Sequence, residues 1–149
     1  MSVVDGRKRK KTYKKEGGIM RLVKFKIPIY MWDVTVFIVK SKDDLQELSK
    51  FATKYDLPDK EELINLAKND AKEGGKTYTK RSSRNFVIIL FPHNTKEGFV
   101  RTINHEKRHI IDDILEWHDI KDKEAAAYLD GYVSEELYKH LKILKEMKK

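Results

Sequence analysis

In the stretch INHEKRHIID, residues 103–112, two histidines and a glutamate, His105, Glu106 and His109, stand at a spacing that suits a divalent metal. Each helical residue turns the chain by about 100°, so His105 and His109 fall one turn apart on one face, with Glu106 beside them. Two imidazoles so placed can occupy two corners of a tetrahedral zinc site, and the neighbouring carboxylate then lies near a bound water without being a ligand. That arrangement is suited to metal-assisted hydrolysis, with Glu106 as general base. The competing reading is two solvated histidines on a charged helix. Charged residues make up 38% of the chain, so the surroundings of the motif have to separate the two.

Zinc needs a third protein ligand, and with no cysteine in the chain it must be His, Asp or Glu. The long motif HExxHxxGxxH is excluded, because Leu115 stands where its third histidine belongs. His118 is half a turn out of phase with His109 and reads as a helix-end residue. Glu124, fifteen residues beyond His109, is the better candidate. A turn over residues 118–122 would reverse the chain and start a second helix there. Ala125, Ala126, Ala127 and Gly131 would then permit close helix approach.

HEKRH followed by EAAAY resembles the small gluzincins, HExxH zinc metallopeptidases whose third ligand is a Glu on the following helix. These minigluzincins include the ImmA/IrrE-like proteins and small phage-encoded relatives. The E-x-x-A pattern matches Glu124 to Ala127, and the likeness extends over about residues 20–133, with its specific part in about 30 of them. The resemblance implies His105, His109 and Glu124 as ligands of Zn2+ and Glu106 as catalytic base. It also implies that FVIILF, residues 86–91, is an edge strand along which an extended peptide substrate pairs. The candidates for oxyanion stabiliser are Tyr128 and Tyr132, whose competing reading at this spacing is packing. Two departures stand out. Lys107 and Arg108 replace the usual uncharged pair inside the motif, and Lys107 must reach water past the apolar back of the helix. Tyr128 occupies the position of the carboxylate that orients a ligand histidine in thermolysin-type enzymes, leaving that task to Asp112, Asp113 or a backbone carbonyl.

The elements that must position these residues follow from hydrophobic period and turn chemistry. In IMRLVKFKIPIY, residues 19–30, apolar residues alternate as in a strand, with Pro28 at an edge or strand end; VTVFIV, residues 34–39, follows as its hairpin partner. SKDDLQELSKFATKY carries an N-cap at Ser41 and a helical stripe, and a second helix begins near Pro58 and ends at Gly74 and Gly75. KTYTK and NFVIILF, separated by RSSR, predict a second hairpin. Asn94 and Glu97 have capping-box spacing ahead of the HEKRH helix, expected over about 95–117. Two further helices are expected, EAAAYLDGY and one opening at Ser134. The fold class is therefore α+β: a small antiparallel or mixed sheet packed against a zincin-type active-site helix and several others.

A length of 149 residues fits one domain, here residues 19–149. Residues 1–18 form a basic arm, expected to be flexible, in which seven Lys and Arg face only Asp5 and Glu16, out of a net charge of +8. Through residues 7–15 such an arm can neutralise nucleic-acid phosphates or another acidic surface. This supplies the alternative function: a catalytically inactive zincin-like structural or binding module docking on nucleic acid or a phage assembly. No apolar run approaches the roughly 20 residues of a membrane span, and the basic start lacks an apolar signal segment. The expectation is a soluble protein, cytoplasmic at synthesis, with virion association if phage-encoded.

Overall fold

The computed structural model describes residues 10–15, 18–70, 74–91 and 95–140. Five strands, β1 (Lys10–Lys15), β2 (Gly18–Ile27), β3 (Trp32–Ile38), β4 (Gly75–Lys80) and β5 (Asn85–Leu90), form one mixed sheet in the order β1-β2-β3-β5-β4. The helices are α1 (Lys42–Ser49), α2 (Ala52–Tyr55), α3 (Lys60–Asp70), α4 (Lys96–Trp117) and α5 (Lys123–His140). The α+β class expected from the sequence is the one observed. Both hairpins form as antiparallel pairs, β2 with β3 and β4 with β5, and β3 pairs with β5 in parallel. Pro28 falls just past the end of β2, in the turn that leads to β3.

The sheet is covered on both faces. On one, Val23, Phe25, Val34, Val36, Phe86 and Ile88 pack against Ile103, Ile110 and Ile114 of α4 and Leu129 and Val133 of α5. On the other, Leu22, Phe37, Val87 and Ile89 meet Leu48 of α1 and Leu63 of α3. This double cover corrects the placement of residues 86–91 at a sheet edge. Every residue from Phe86 to Phe91 is buried, and such an apolar run needs partners above and below it, which an interior strand between β3 and β5's hairpin mate provides. The edge strand on this side of the sheet is β4, which is buried at Gly75 and exposed at Lys76 and Lys80.

Four further expectations are corrected. Residues 10–15, assigned to a flexible arm, are strand β1, paired from Lys10 opposite Val23 to Lys15 opposite Gly18; residues 1–9, 16 and 17 lie outside the described residues. The SKDDLQELSKFATKY helix divides into α1 and α2, with Ser41 capping α1 as expected by accepting from the Asp44 N–H at 3.2 Å. The cap of α4 is Thr95, whose hydroxyl accepts from the Gly98 N–H at 3.0 Å; Asn94 lies outside the described residues. The two C-terminal helices are one, α5. Ser134 is interior to it and donates to Asp130 at 3.2 Å, and a side chain at Gly131 would meet nothing within 4 Å, so Gly131 is not required for helix approach.

His118 closes α4 and ties it to the sheet. Its Nε2 accepts from the Trp32 indole N–H at 3.0 Å, which requires the unprotonated nitrogen. Burial, and then the nearby Arg84 guanidinium, hold the imidazole below its ordinary value of 6.5. In the unfolded chain His118 takes up a proton as the pH falls through 6.5, before the folded protein does, so its contribution is complete above that pH and is lost as pH falls through the folded value. Thermal melts from about pH 7.5 to about pH 5.5 should therefore show a decline in Tm that is shallower in His118→Gln, which retains an acceptor for the indole. Equal slopes in the two proteins would exclude His118 as a source of the decline.

Candidate metal centre

Helix α4 presents a different chemistry on each flank. Phe99, Ile103, Ile110 and Ile114 enter the core; Glu106 and Asp113 turn towards β4; Asn104 and Lys107 meet α5; His105 and His109 face solvent. Glu106 is 3% exposed and its Oε1 accepts a hydrogen bond from the Thr77 hydroxyl at 2.5 Å. Two turns along, Asp113 accepts from the Thr79 hydroxyl at 2.6 Å. Residues two apart on a strand share a face, and residues seven apart on a helix nearly do, so one face of β4 holds one flank of α4 at both points. Gly75 allows this approach: a Cβ there would stand 3.2 Å from Glu106 Cγ and 3.1 Å from the Ile89 carbonyl oxygen.

The side chain of Glu106 is thus buried against β4 and its carboxylate is oriented by the Thr77 hydroxyl. Thr77→Val keeps the shape and strand preference of the residue but removes the donor, and should lower stability by about 1–3 kcal/mol. Thr77→Ser should largely retain it. Thr79→Val should cost less, because the Asp113 side chain keeps 27% exposure and has Arg81 at 3.5 Å. Denaturation midpoints of the three variants test the order, and a Thr79→Val loss as large as that of Thr77→Val would refute it.

His105 and His109 are exposed, with ring centroids 5.0 Å apart and planes at 85°. They form a pair one helical turn apart. Glu124 is not brought to it. Lys107, about 200° around α4 from His105, is what α5 contacts, so α5 lies on the flank away from the imidazoles. Glu124 sits in the first turn of α5 on an exposed stripe with Tyr128 and Gly131, and among the described residues no three His, Asp or Glu side chains converge as a metal site.

Lys107 does not reach for water. Its ammonium lies 2.9 Å from both Asp130 Oδ1 and Ser134 Oγ, and its side chain is only 16% exposed, so the charge within the motif is neutralised by α5. Arg108 pairs with Asp112 at 3.5 Å on the outer surface. Asp112 and Asp113 are accordingly engaged by Arg108 and by Thr79 with Arg81, rather than by His109. Tyr132 donates to the Lys26 carbonyl at 3.1 Å, whereas Tyr128 is 64% exposed. Sequence reasoning missed Gly75, Thr77 and Thr79. The available signal was the alternation in GKTYTK, which places both hydroxyls on the face opposite Lys76, Tyr78 and Lys80.

Comparison of the chain with protein-family models, with curated proteins and with solved structures finds no match. Among the described residues no helix is long and apolar enough to cross a membrane.

Proposed function

We propose that this chain is a zinc-dependent metallopeptidase in which His105 and His109 hold the ion and Glu106 is the general base, the third protein position being filled by a group other than Glu124, which α5 carries on the far flank. The observation that carries the reading is the setting of Glu106. A carboxylate buried between a helix and a sheet-edge strand, fixed by a single hydroxyl and flanked in sequence by an exposed histidine pair, is poorly explained as a solvated helix position. Strand β4 supports the same reading, because its outer edge pairs with no strand among the described residues. An extended peptide adding to that edge would be held by backbone hydrogen bonds and would run beside α4. The Thr77 bond engages Oε1 of Glu106 and leaves Oε2 to take a proton from the attacking water and deliver it to the leaving amine. The ion would supply a water that is nucleophilic near neutral pH and would polarise the scissile carbonyl.

Metal analysis of the purified full chain is the direct test. Wild type is expected to carry about one zinc per chain and His105→Ala to lose it. Zinc at wild-type level in His105→Ala would overturn the reading. Glu124→Gln is expected to retain zinc at wild-type level, as its place on the exposed stripe of α5 requires; weakened retention would return Glu124 to the ligand set.

A further inference from the structure

The sheet face that carries α1–α3 changes character along one line. Following the strand register, the row Leu22, Phe37, Ile89 is apolar and covered. The next row is Lys24, Thr35, Val87, Tyr78, and the one beyond it is Lys26, Asp33, Asn85, Lys80. Two adjoining concavities occupy this polar half and share Lys24, Tyr55 and Asn85; the larger is about 500 Å³. Four strands at a spacing of about 4.8 Å make the trough roughly 14 Å across.

Its cations are arranged unusually. Lys24 and Lys54 both place their ammonium groups over the Tyr55 ring, at 5.3 and 5.4 Å from its centre, and neither has a carboxylate within ion-pair distance among the described residues. Lys80 has Asp56 only at 3.8 Å, while Lys26 is paired with Asp33 at 3.2 Å. A tyrosine ring orients two charges here without neutralising them. Strand β1, with Lys10, Lys11, Lys14 and Lys15 in its sequence, continues the sheet on the β2 side. An anion is the complement of such a surface. The distribution of charge across strands, beside the half-buried Tyr78 ring and the Asn85 amide, whose NH2 donates to the Ser83 carbonyl and hydroxyl at 3.0 and 2.9 Å and whose oxygen points the other way along the amide as an acceptor, fits an extended polyanion bearing bases better than a compact one.

We propose that this trough binds single-stranded nucleic acid, with Lys24, Lys54 and Lys80 on the phosphodiester backbone and Tyr78 and Asn85 facing the bases. The site is distinct from the histidine pair, and it does not rest on the peptidase reading. Fluorescence anisotropy of a labelled oligothymidylate of about ten nucleotides, titrated with the full chain at several salt concentrations, tests it. Lys24→Ala with Lys54→Ala should weaken binding at least tenfold and reduce the log–log salt slope by about 1.4, two phosphate contacts at about 0.7 each. The Lys24→Arg, Lys54→Arg pair should restore most of the affinity, which separates lost charge from lost folding. Zinc content should be unchanged in both. Wild-type binding by the alanine pair would overturn the proposal. So would loss of binding confined to an Arg7→Ala, Lys8→Ala, Arg9→Ala variant, equal affinity for duplex DNA, or no binding by wild type at low salt.

Discussion

Glu106→Gln is expected to lower peptide hydrolysis by about 10²–10⁴-fold while leaving fold and zinc content at wild-type level. Gln matches Glu in size, and its side-chain oxygen can still accept from Thr77, so the contact between α4 and β4 survives. On the proposed mechanism, what is lost is the capacity to take a proton from water and return it to the leaving nitrogen. His105 and His109, which point to another flank of the helix, are untouched. The measurements are kcat on an unfolded protein substrate and zinc per chain for the same preparation. Undiminished kcat would remove Glu106 from the chemistry; loss of zinc along with activity would instead assign it to metal binding. The lysine inside the motif does not stand in the way of this role. Its charge is spent on Asp130 and Ser134, on the flank of α4 facing α5, where it joins two helices.

Trp32→Ala should have the largest effect on stability, about 3–5 kcal/mol. The side chain is fully buried, stacks on Phe86 with ring centroids 4.6 Å apart, and donates to His118. Truncation opens a cavity at the start of β3 and leaves the end of α4 without its bond to the sheet. Against a total stability of about 5–15 kcal/mol this is a large fraction, and a Tm lower by roughly 10 °C is expected. Trp32→Phe should lose less, since it keeps most of the stacking and forfeits the hydrogen bond. A Trp32→Ala midpoint within experimental scatter of wild type would show that the contact between α4 and β3 contributes little.

Much of the architecture is legible in the sequence. Alternation in residues 19–30, the Ser41 cap and the helical period of residues 96–117 are local signals, carried by period and by side chains that reach their own backbone. Where prediction failed, the missing information was not local. The resemblance implies an edge position for FVIILF, whereas an apolar run buried on both faces belongs inside a sheet. Ser134 has the letters of a cap, yet its hydroxyl donates to Asp130 one turn back and the helix runs through.

The candidate site divides in the same way. Spacing alone determined that His105 and His109 share a face, because the helical angle per residue is fixed by backbone geometry. It determined equally that Lys107 lies on the opposite side. Which neighbour each flank meets was decided only by tertiary structure. Thr77 lies 29 residues before Glu106 and reaches it because the β4–β5 hairpin lays its outer strand over α4. Asp130 and Ser134 answer Lys107, and Glu124 is left on the outer stripe of α5. The sequence specifies the period of each element, but the side of α4 taken by β4 and by α5 depends on how the whole apolar surface of the sheet is covered, and no short stretch encodes that.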